Sequence, residues 1–318
     1  MGFDLSIVIV TWNARDVLLP AVASIFREVK GISYEVIVVD NDSKDGSADA
    51  VEADFPEAKV LRCPRNLGFA GGNNVGLREI QGRHAVLLNS DTITHAGAFE
   101  RMVAYMDEHP EVGACGPQLL NPDGSKQNCF HNFPTLTTEL VNLSLLKALF
   151  PAKYPGKRQA YTAPLEVDAV LGACMLLRRE VLEKVGPMDD GYFFFLEETD
   201  WCARIREAGW KIVHLPDARI THLYGESTKK KLPTETYIEY YRSLYRFFGK
   251  NRGPGQKAVV AAFRVVKLVL DVLLAALPVI LTLGLAEKPR RRLSTYATLL
   301  AWHLRGCPEG WGLRARAR

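Results

Sequence analysis

The sequence contains no Cys-x-x-Cys pair, and its six cysteines, at positions 63, 115, 129, 174, 202 and 307, match no zinc-ligand spacing. Reduced thiols in a cytosolic protein are the expectation. No Gly-x-Gly-x-x-Gly follows the first apolar run and no Gly-x-x-x-x-Gly-Lys-Ser/Thr loop is present, which argues against dinucleotide and Walker-type phosphate sites. Internal repeats and low-complexity tracts are also missing. Net charge is small, +4 over 318 residues, and with 47% hydrophobic and 24% charged residues wholesale disorder is excluded. The apolar run IVIV near the start is too short for a secretory leader and is followed at once by Thr11-Trp12-Asn13.

The charge is unevenly placed. From Gln256 onward eleven Lys/Arg face three Asp/Glu, about +8, which leaves the first 255 residues near −4. A mildly acidic body with a basic, apolar tail predicts a partner for the tail, either a membrane surface or nucleic acid. The expected division is a catalytic α/β domain over 1–255 and a helical segment over 256–318.

Three short runs, SIVIVT (6–11), EVIVVD (35–40) and AVLLNSD (85–91), are apolar without alternation, as strands buried on both faces of a parallel sheet must be. Helical stretches such as 17–29 and 98–109 separate them, so the pattern predicts a doubly wound α/β sheet. All three runs end on polar residues. Ligands bind at the carboxyl ends of strands in such sheets, so Thr11, Asn13, Asp40 and the Asn89–Asp91 turn are expected to line one crevice. Further on, 134–150 reads as a helix with one apolar face, 169–186 as a strand running into a helix, and 211–225 as two short strands around Pro216. In 236–250, Tyr237, Tyr241, Leu244 and Phe248 fall on one helical face.

Two stretches carry chemistry in alternative ways. RNLGFAGGNNVG (65–76) is a tight turn at a helix start, or a loop whose glycines and asparagines approach a ligand closely. LLNSDT (87–92) is a strand ending either on a solvated helix-capping acid or on a carboxylate that holds a hard divalent cation and, through it, a nucleotide's diphosphate.

Taken in order, VTWN (10–13), VVDNDSKDGS (38–47), NLGFAGGNN (66–74), LLNSD (87–91), GACMLLRRE (172–180), YFFFLEETDWCARIREAGW (192–210) and ITHLYGES (220–227) resemble the glycosyltransferase family 2 enzymes of the GT-A fold, particularly bacterial rhamnosyltransferase-like members. The resemblance spans about residues 5–250. It implies a GT-A, Rossmann-like, mostly parallel sheet flanked by helices, and a nucleotide-sugar donor, a dTDP- or UDP-sugar, bound across the strand tips. Thr11, Asp40 and Asn41 fall where the family contacts base and ribose, and Asn13, Asn66, Gly71, Asn73 and Asn89 belong to the same donor crevice. Asn89-Ser90-Asp91 matches the family's D-x-D with Asn in place of the first Asp, so Asp91 carries most of the cation coordination. His222 matches a position that can supply a metal-ligating histidine, for Mg²⁺ or Mn²⁺. Glu198, with Glu197 as its neighbour, matches the general base of an inverting displacement, and Asp200 is expected to cap or pair within its helix.

Those acids begin FFFLEETDW (193–201), where an apolar run meets three carboxylates. A buried strand ending at a helix start would explain the pattern without chemistry; the resemblance instead gives Glu198 a proton to take. The run STKKKLP (227–233) is a solvated loop or a cover for a phosphate. In the tail, Leu268–Leu285 is eighteen residues long but contains Asp271 and Pro278, with basic residues at both ends. An in-plane or re-entrant helix pair on the cytoplasmic leaflet is expected, with packing on the catalytic domain or in a homodimer as the alternative. Nucleic acid fits this long apolar run poorly. The function expected is transfer of a sugar, L-rhamnose from dTDP-L-rhamnose in the leading reading, to a lipid-linked or cell-surface glycan. A non-catalytic sugar-nucleotide binder on the same fold is the rival, favoured by Asn89 alone.

Overall fold

The computed structural model describes residues 2–155, 161–223 and 234–316. The lysine run at 227–233 and the end of ITHLYGES lie outside them. The strands are β1 (Leu5–Thr11), β2 (Tyr34–Asp40), β3 (Lys59–Arg62), β4 (His84–Asn89), β5 (Thr92–Thr94), β6 (Val112–Leu120), β7 (Phe130–His131), β8 (Leu165–Glu166), β9 (Ala169–Val170), β10 (Cys174–Arg178) and β11 (Lys211–His222). The helices are α1 (Arg15–Glu28), α2 (Ser47–Asp54), α3 (Gly68–Leu77), α4 (Ala98–Glu108), α5 (Leu136–Leu140), α6 (Leu143–Leu149), α7 (Arg179–Val185), α8 (Glu197–Glu207), α9 (Thr234–Asn251), α10 (Pro254–Leu281), α11 (Glu287–Leu304) and α12 (Leu313–Arg316).

The main sheet runs β3-β2-β1-β4-β10-β6-β11-β5, with β8 added on β11. Its first four strands are parallel, and each apolar run forms one of the buried central strands. Side chains buried on both faces have no polar position to turn to water, which is why these runs are continuous rather than alternating. Beyond β4 the sheet becomes mixed, because β10 pairs antiparallel with β4 and with β6, and β5 antiparallel with β11. α3 lies close against β1 because Gly72 and Gly76 carry no Cβ. A methyl on Gly72 would stand 2.7 Å from Val10 Cγ1, and one on Gly76 would overlap Val8.

Several expectations change. The stretch 134–150 is two short helices, broken at Val141, which is extended (φ −105, ψ 146). Asn142 causes the break by capping the second helix, its Oδ1 accepting from the Ser144 N–H at 2.8 Å. The FFF run is no strand: Phe195 and Leu196 take left-handed backbone (φ 73 and 65), a turn that delivers the chain into α8. The stretch 211–222 is one strand, with a register break between Leu215 and Arg219 where Pro216 cannot donate a ladder bond. Of the face expected in α9, Leu244 and Phe248 are buried but Tyr237 is exposed, and the helix also buries Ile238, Tyr245 and Phe247.

The chain divides into two compact units, 1–133 with 147–193 and 197–230, and 134–146 with 194–196 and 231–318. The boundary expected at 255 therefore falls before α9, because that helix buries its apolar residues with the helices that follow it. In this second unit the buried Glu239 binds Arg242 at 2.7 Å and Arg314 at 3.2 Å, and Arg242 also donates to the carbonyls of Pro308 and Trp311. No helix among the described residues is long and apolar enough to cross a membrane.

Candidate active site at the strand tips

Register gathers the predicted polar tips. Thr11 pairs with Asp40, and Val10 with Asn89, so the ends of β1, β2 and β4 lie side by side. Thr11 Oγ1 is buried with no hydrogen-bond partner among the described residues, an orphan hydroxyl of the kind that a bound ligand satisfies. One oxygen of Asp40 accepts from the Ser43 N–H at 3.0 Å. Asn13, in left-handed backbone, accepts from the Lys44 N–H at 2.6 Å, while its own N–H donates to Ser43 Oγ at 3.0 Å. Asn13 thus clips the β1–α1 turn to the β2–α2 turn. Between them in sequence Trp12 stands 52% exposed, an indole that sequence reasoning did not single out.

The glycine and asparagine loop is held by its own hydrogen bonds. Asn41 donates to Asn66 Oδ1 and to the Gly68 carbonyl, both at 3.0 Å, and accepts from the Leu67 N–H at 2.8 Å. Asn66 Oδ1 also accepts from the Gly68 N–H. Asn73 is buried and bound to the Phe69 carbonyl at 2.9 Å, and Gly71 lies within α3, where a side chain would meet Leu67. Gly68, at φ 75, leaves room for the Phe193 carbonyl, which accepts from the Phe69 N–H at 2.8 Å. The tight turn and helix start account for this stretch, and it fastens the segment leading to α8.

At the tip of β4 the geometry is more open. Antiparallel pairing sets His222 opposite Thr92, and the Leu223 N–H donates to the Asp91 carbonyl at 2.8 Å. His222 Nε2 comes to 3.2 Å from Asp91 Oδ1 and 3.4 Å from Asn89 Nδ2. The other ring nitrogen, Nδ1, meets Gln127 Oε1 at 3.0 Å, and Gln127 Nε2 returns a bond to the His222 carbonyl at 2.6 Å. An amide oxygen only accepts, so Nδ1 donates in this bond and the ring orientation is fixed with Nε2 toward Asp91. A carboxylate and an oriented imidazole, both largely buried, are donors of a kind that fits two positions of a divalent cation. Gln127 is the orienting partner that ligating histidines generally have.

α8 opens beside this tip. The Asn89 N–H donates to the Ala173 carbonyl at 3.0 Å, and a methyl on the adjacent Gly172 would lie 3.7 Å from Glu198 Cβ. The three acids separate by environment. Asp200, fully buried, accepts from Arg204 Nε at 3.1 Å and from Tyr192 Oη at 3.3 Å, a pairing within the helix. Glu197 is buried, 4% exposed, whereas Glu198 is only half-buried and open to an incoming group. Next to Glu198, Thr199 Oγ1 meets His131 Nε2 at 2.6 Å. Burial pushes the His131 pKa down, with the Glu198 charge pulling it back up.

The model of Glycosyl transferase family 2 matches residues 6–186, more than half of the chain. The chain belongs to glycosyl transferase family 2. Among its relatives, the N-acetylglucosaminyl-diphospho-decaprenol L-rhamnosyltransferase of Mycobacterium tuberculosis is 28% identical over 227 residues, 67% of this chain and 73% of that protein. The dTDP-rhamnosyl transferase RfbF of Shigella flexneri is 24% identical over 269 residues, 80% of this chain and 83% of RfbF. Among solved structures, the mannosyltransferase PcManGT of Pyrobaculum calidifontis, in complex with GDP-Man and Mn²⁺, superposes with a TM-score of 0.53 at 16% identity, covering 96% of this chain and 87% of its own. GalNAc-T7 with UDP, GalNAc and Mn²⁺ gives a TM-score of 0.55 at 18% identity over 77% of this chain and 47% of its own. The fold of this family 2 chain is that of the GT-A glycosyltransferases.

Sequence reasoning missed Trp12, Gln127, Gly172 and His131 as neighbours of the site. Trp12 carried a signal, an indole immediately after an apolar strand. Gln127 carried none, since it meets His222 across 95 positions of sequence.

Proposed function

We propose that the chain is a cation-dependent, inverting hexosyltransferase that moves L-rhamnose from dTDP-L-rhamnose to a hydroxyl of a lipid-linked or cell-surface glycan, on the cytoplasmic face of the bacterial inner membrane. The observation that carries the reading is the meeting of Asp91 and the Gln127-fixed His222, 3.2 Å apart, beside the α8 acids. Two relatives named for rhamnose transfer support the donor, and the one named for a diphospho-decaprenol substrate supports the acceptor.

Asp91 and His222 hold Mg²⁺ or Mn²⁺ in this reading, and the ion supplies electrostatic stabilisation of the departing diphosphate. Thr11 Oγ1 and the free oxygen of Asp40 hydrogen-bond the nucleoside, and the exposed face of Trp12 stacks on the base. Glu198 accepts the acceptor's hydroxyl proton as that oxygen bonds to the anomeric carbon and the carbon–diphosphate bond breaks, so one displacement inverts the configuration. The half-buried position of Glu198 favours it over Glu197, because an acceptor can reach it.

The C-terminal helices supply the membrane contact. α10 exposes Leu273, Leu274, Leu277, Ile280 and Leu281, and Lys288 and Arg290 to Arg292 stand exposed at the start of α11. Apolar burial and attraction to anionic lipid hold such a pair in the plane of the interface.

The test is nucleotide release from a panel of dTDP-, UDP- and GDP-sugars with Mg²⁺, with Mn²⁺ and with EDTA, in membranes that carry endogenous lipid-linked acceptors. Turnover of one donor that stops with EDTA is the expected result. Asn89, and the absence of any cluster of three His, Cys, Asp or Glu among the described residues, favours a second reading, a non-catalytic sugar-nucleotide binder. Donor binding without release in those membranes would establish it.

A further inference from the structure

The turn Asn121-Pro122-Asp123-Gly124-Ser125 lies on the far side of His222 from Asp91 in the hydrogen-bonding order. Parallel pairing of β6 with β11 sets Leu120 opposite Thr221, so the turn that leaves β6 starts beside His222. It closes on itself: the Asn121 N–H donates to the Ser125 carbonyl at 2.8 Å, and the Gly124 N–H to the Asn121 carbonyl at 2.9 Å. Gly124 supplies the left-handed residue (φ 80) that this reversal needs. The chain then runs back along β6, with Lys126 bridged to Leu120 and the Gln127 N–H donating to the Leu119 carbonyl at 2.9 Å. That return lays the buried Gln127 amide against the histidine.

The polar side chains here bond one another in a single direction. His222 Nδ1 donates to Gln127 Oε1 at 3.0 Å and Gln127 Nε2 to Asn121 Oδ1 at 2.9 Å. Asn121 Nδ2 donates to Ser125 Oγ at 2.7 Å, and Ser125 Oγ to Asp123 Oδ1 at 2.6 Å. The far end sets the direction. The Ser125 side-chain and backbone bonds hold the Asp123 carboxyl pKa below its usual value, and an ionised carboxylate only accepts. The Ser125 hydroxyl therefore commits its one proton to Asp123 and can only accept from Asn121. Asn121 must then turn its amide nitrogen to Ser125 and its oxygen to Gln127. Both hydrogens on Gln127 Nε2 go to oxygens that carry no proton, Asn121 Oδ1 and the His222 carbonyl at 2.6 Å. Reversing that amide would set oxygen against oxygen at both contacts. We propose that Asn121, Ser125 and Asp123 are positioning residues for His222, a relay that keeps the proton of the neutral ring on Nδ1 and leaves Nε2 to accept. Nε2 faces Asp91 Oδ1 at 3.2 Å. Asp91 alone would draw the ring proton to Nε2, where it would block a cation, and the relay opposes that. The role rests on the transferase reading, in which Nε2 takes a divalent cation, and extends the support of that ligand beyond Gln127 to an exposed turn.

The test reads the tautomer directly, by long-range proton–nitrogen correlation spectra of the metal-free, full-length protein with isotopically labelled histidine. At about pH 8 an ordinary imidazole is neutral, and the spectra separate Nδ1–H from Nε2–H rings. His222→Gln identifies the His222 signal. Wild type is expected to show the Nδ1–H form. Asn121→Leu, which keeps the shape and removes the acceptor, should bring in the Nε2–H form. It should also weaken Mn²⁺ binding about three- to tenfold, the effect of one hydrogen bond, read by electron paramagnetic resonance with dTDP present. Asn121→Asp, which retains an oxygen toward Gln127, should restore the wild-type tautomer. Ser125→Ala, an exposed change that leaves the backbone of the turn in place, should shift the tautomer the same way by less, and it decides the matter if Asn121→Leu does not fold. An Nε2–H ring in wild type would overturn the proposal, as would wild-type tautomer and Mn²⁺ affinity in both Asn121→Leu and Ser125→Ala. An Nδ1–H ring in a wild-type protein that binds no Mn²⁺ would overturn the cation reading of Asp91 and His222, and the positioning role with it.

Discussion

The two units treat apolar surface in opposite ways. Among the described residues of the first unit, only Trp12, Leu149 and Phe150 are large apolar side chains left exposed, whereas the second exposes such residues along most of α10. The first unit closes its core with β-branched strands and then commits its polar tips to one another, Asn13 to Lys44, Asn41 to Asn66 and Asp200 to Arg204. Among its described residues the strand tips also present the unpartnered Thr11 hydroxyl, the exposed Trp12 indole and the half-buried Glu198. The second unit leaves open a continuous hydrocarbon face. A surface whose polar groups are nearly all satisfied can present a few unsatisfied ones with precision, while an unsatisfied apolar face asks for a solvent other than water.

The proposed chemistry lies in the first unit, and the largest predicted effect tests that. Glu198→Gln should lower kcat by about 10²–10⁴-fold with donor affinity unchanged. Glu197→Gln should act mainly on thermal stability, since that side chain is buried; equal kinetic losses in the two variants would erase the distinction drawn between them. Next in size is a pH effect on the first unit's core. Burial holds His214 neutral, its pKa pushed down to about 4. The unfolded chain therefore binds the extra proton between about pH 6.5 and 4, and folding should weaken by up to about 3 kcal/mol as pH falls through that window. Denaturant melts at pH 7 and pH 4 check this, with His214→Phe expected to flatten the difference.

Gln127→Ala should weaken Mn²⁺ binding by about 10–100-fold, read by electron paramagnetic resonance with nucleotide present, because His222 loses the bond that fixes its tautomer. An unchanged affinity would mean that the ring is held well enough by its backbone and by Asp91. Gly76→Ala drives a methyl into Val8 and should cost about 1–3 kcal/mol of stability, which would show α3 against β1 to be a packing contact rather than a ligand cradle. The smallest effect belongs to the second unit: replacing Arg290, Arg291 and Arg292 one at a time by Ala should weaken binding to anionic liposomes by about 1 kcal/mol each. Binding to neutral liposomes should not change. If all three variants sedimented with anionic liposomes like wild type, the basic cluster would have no part in membrane contact.

Much of the first unit was legible because its rules are local. Strands buried on both faces must be continuously apolar, so Leu5–Thr11, Tyr34–Asp40 and His84–Asn89 could be read directly, and their polar ends had to share one edge of a parallel sheet. Sequence was less decisive where identical residues serve two purposes. Glycines that allow close approach do not say what approaches, and for Gly72 and Gly76 it is β1. Three phenylalanines in a row suggest a strand, but the left-handed backbone at Phe195 and Leu196 makes a turn that no propensity predicts. A helix pattern over 134–150 hides the Asn142 cap that divides it.

The sequence by itself determined the α/β class, the strand tips, the acids at the start of α8 and the strongly apolar tail, because each depends on residues within one turn or one strand of each other. Only the tertiary structure decided which of those residues are occupied and which are open. Asn41 is hydrogen-bonded to Asn66, Leu67 and Gly68, Glu198 stands apart from the buried Glu197, and Gln127 reaches His222 from far along the chain. Hydrogen bonds and burial are settled by whichever groups the folded chain brings within about 3 Å, and sequence separation does not constrain that choice.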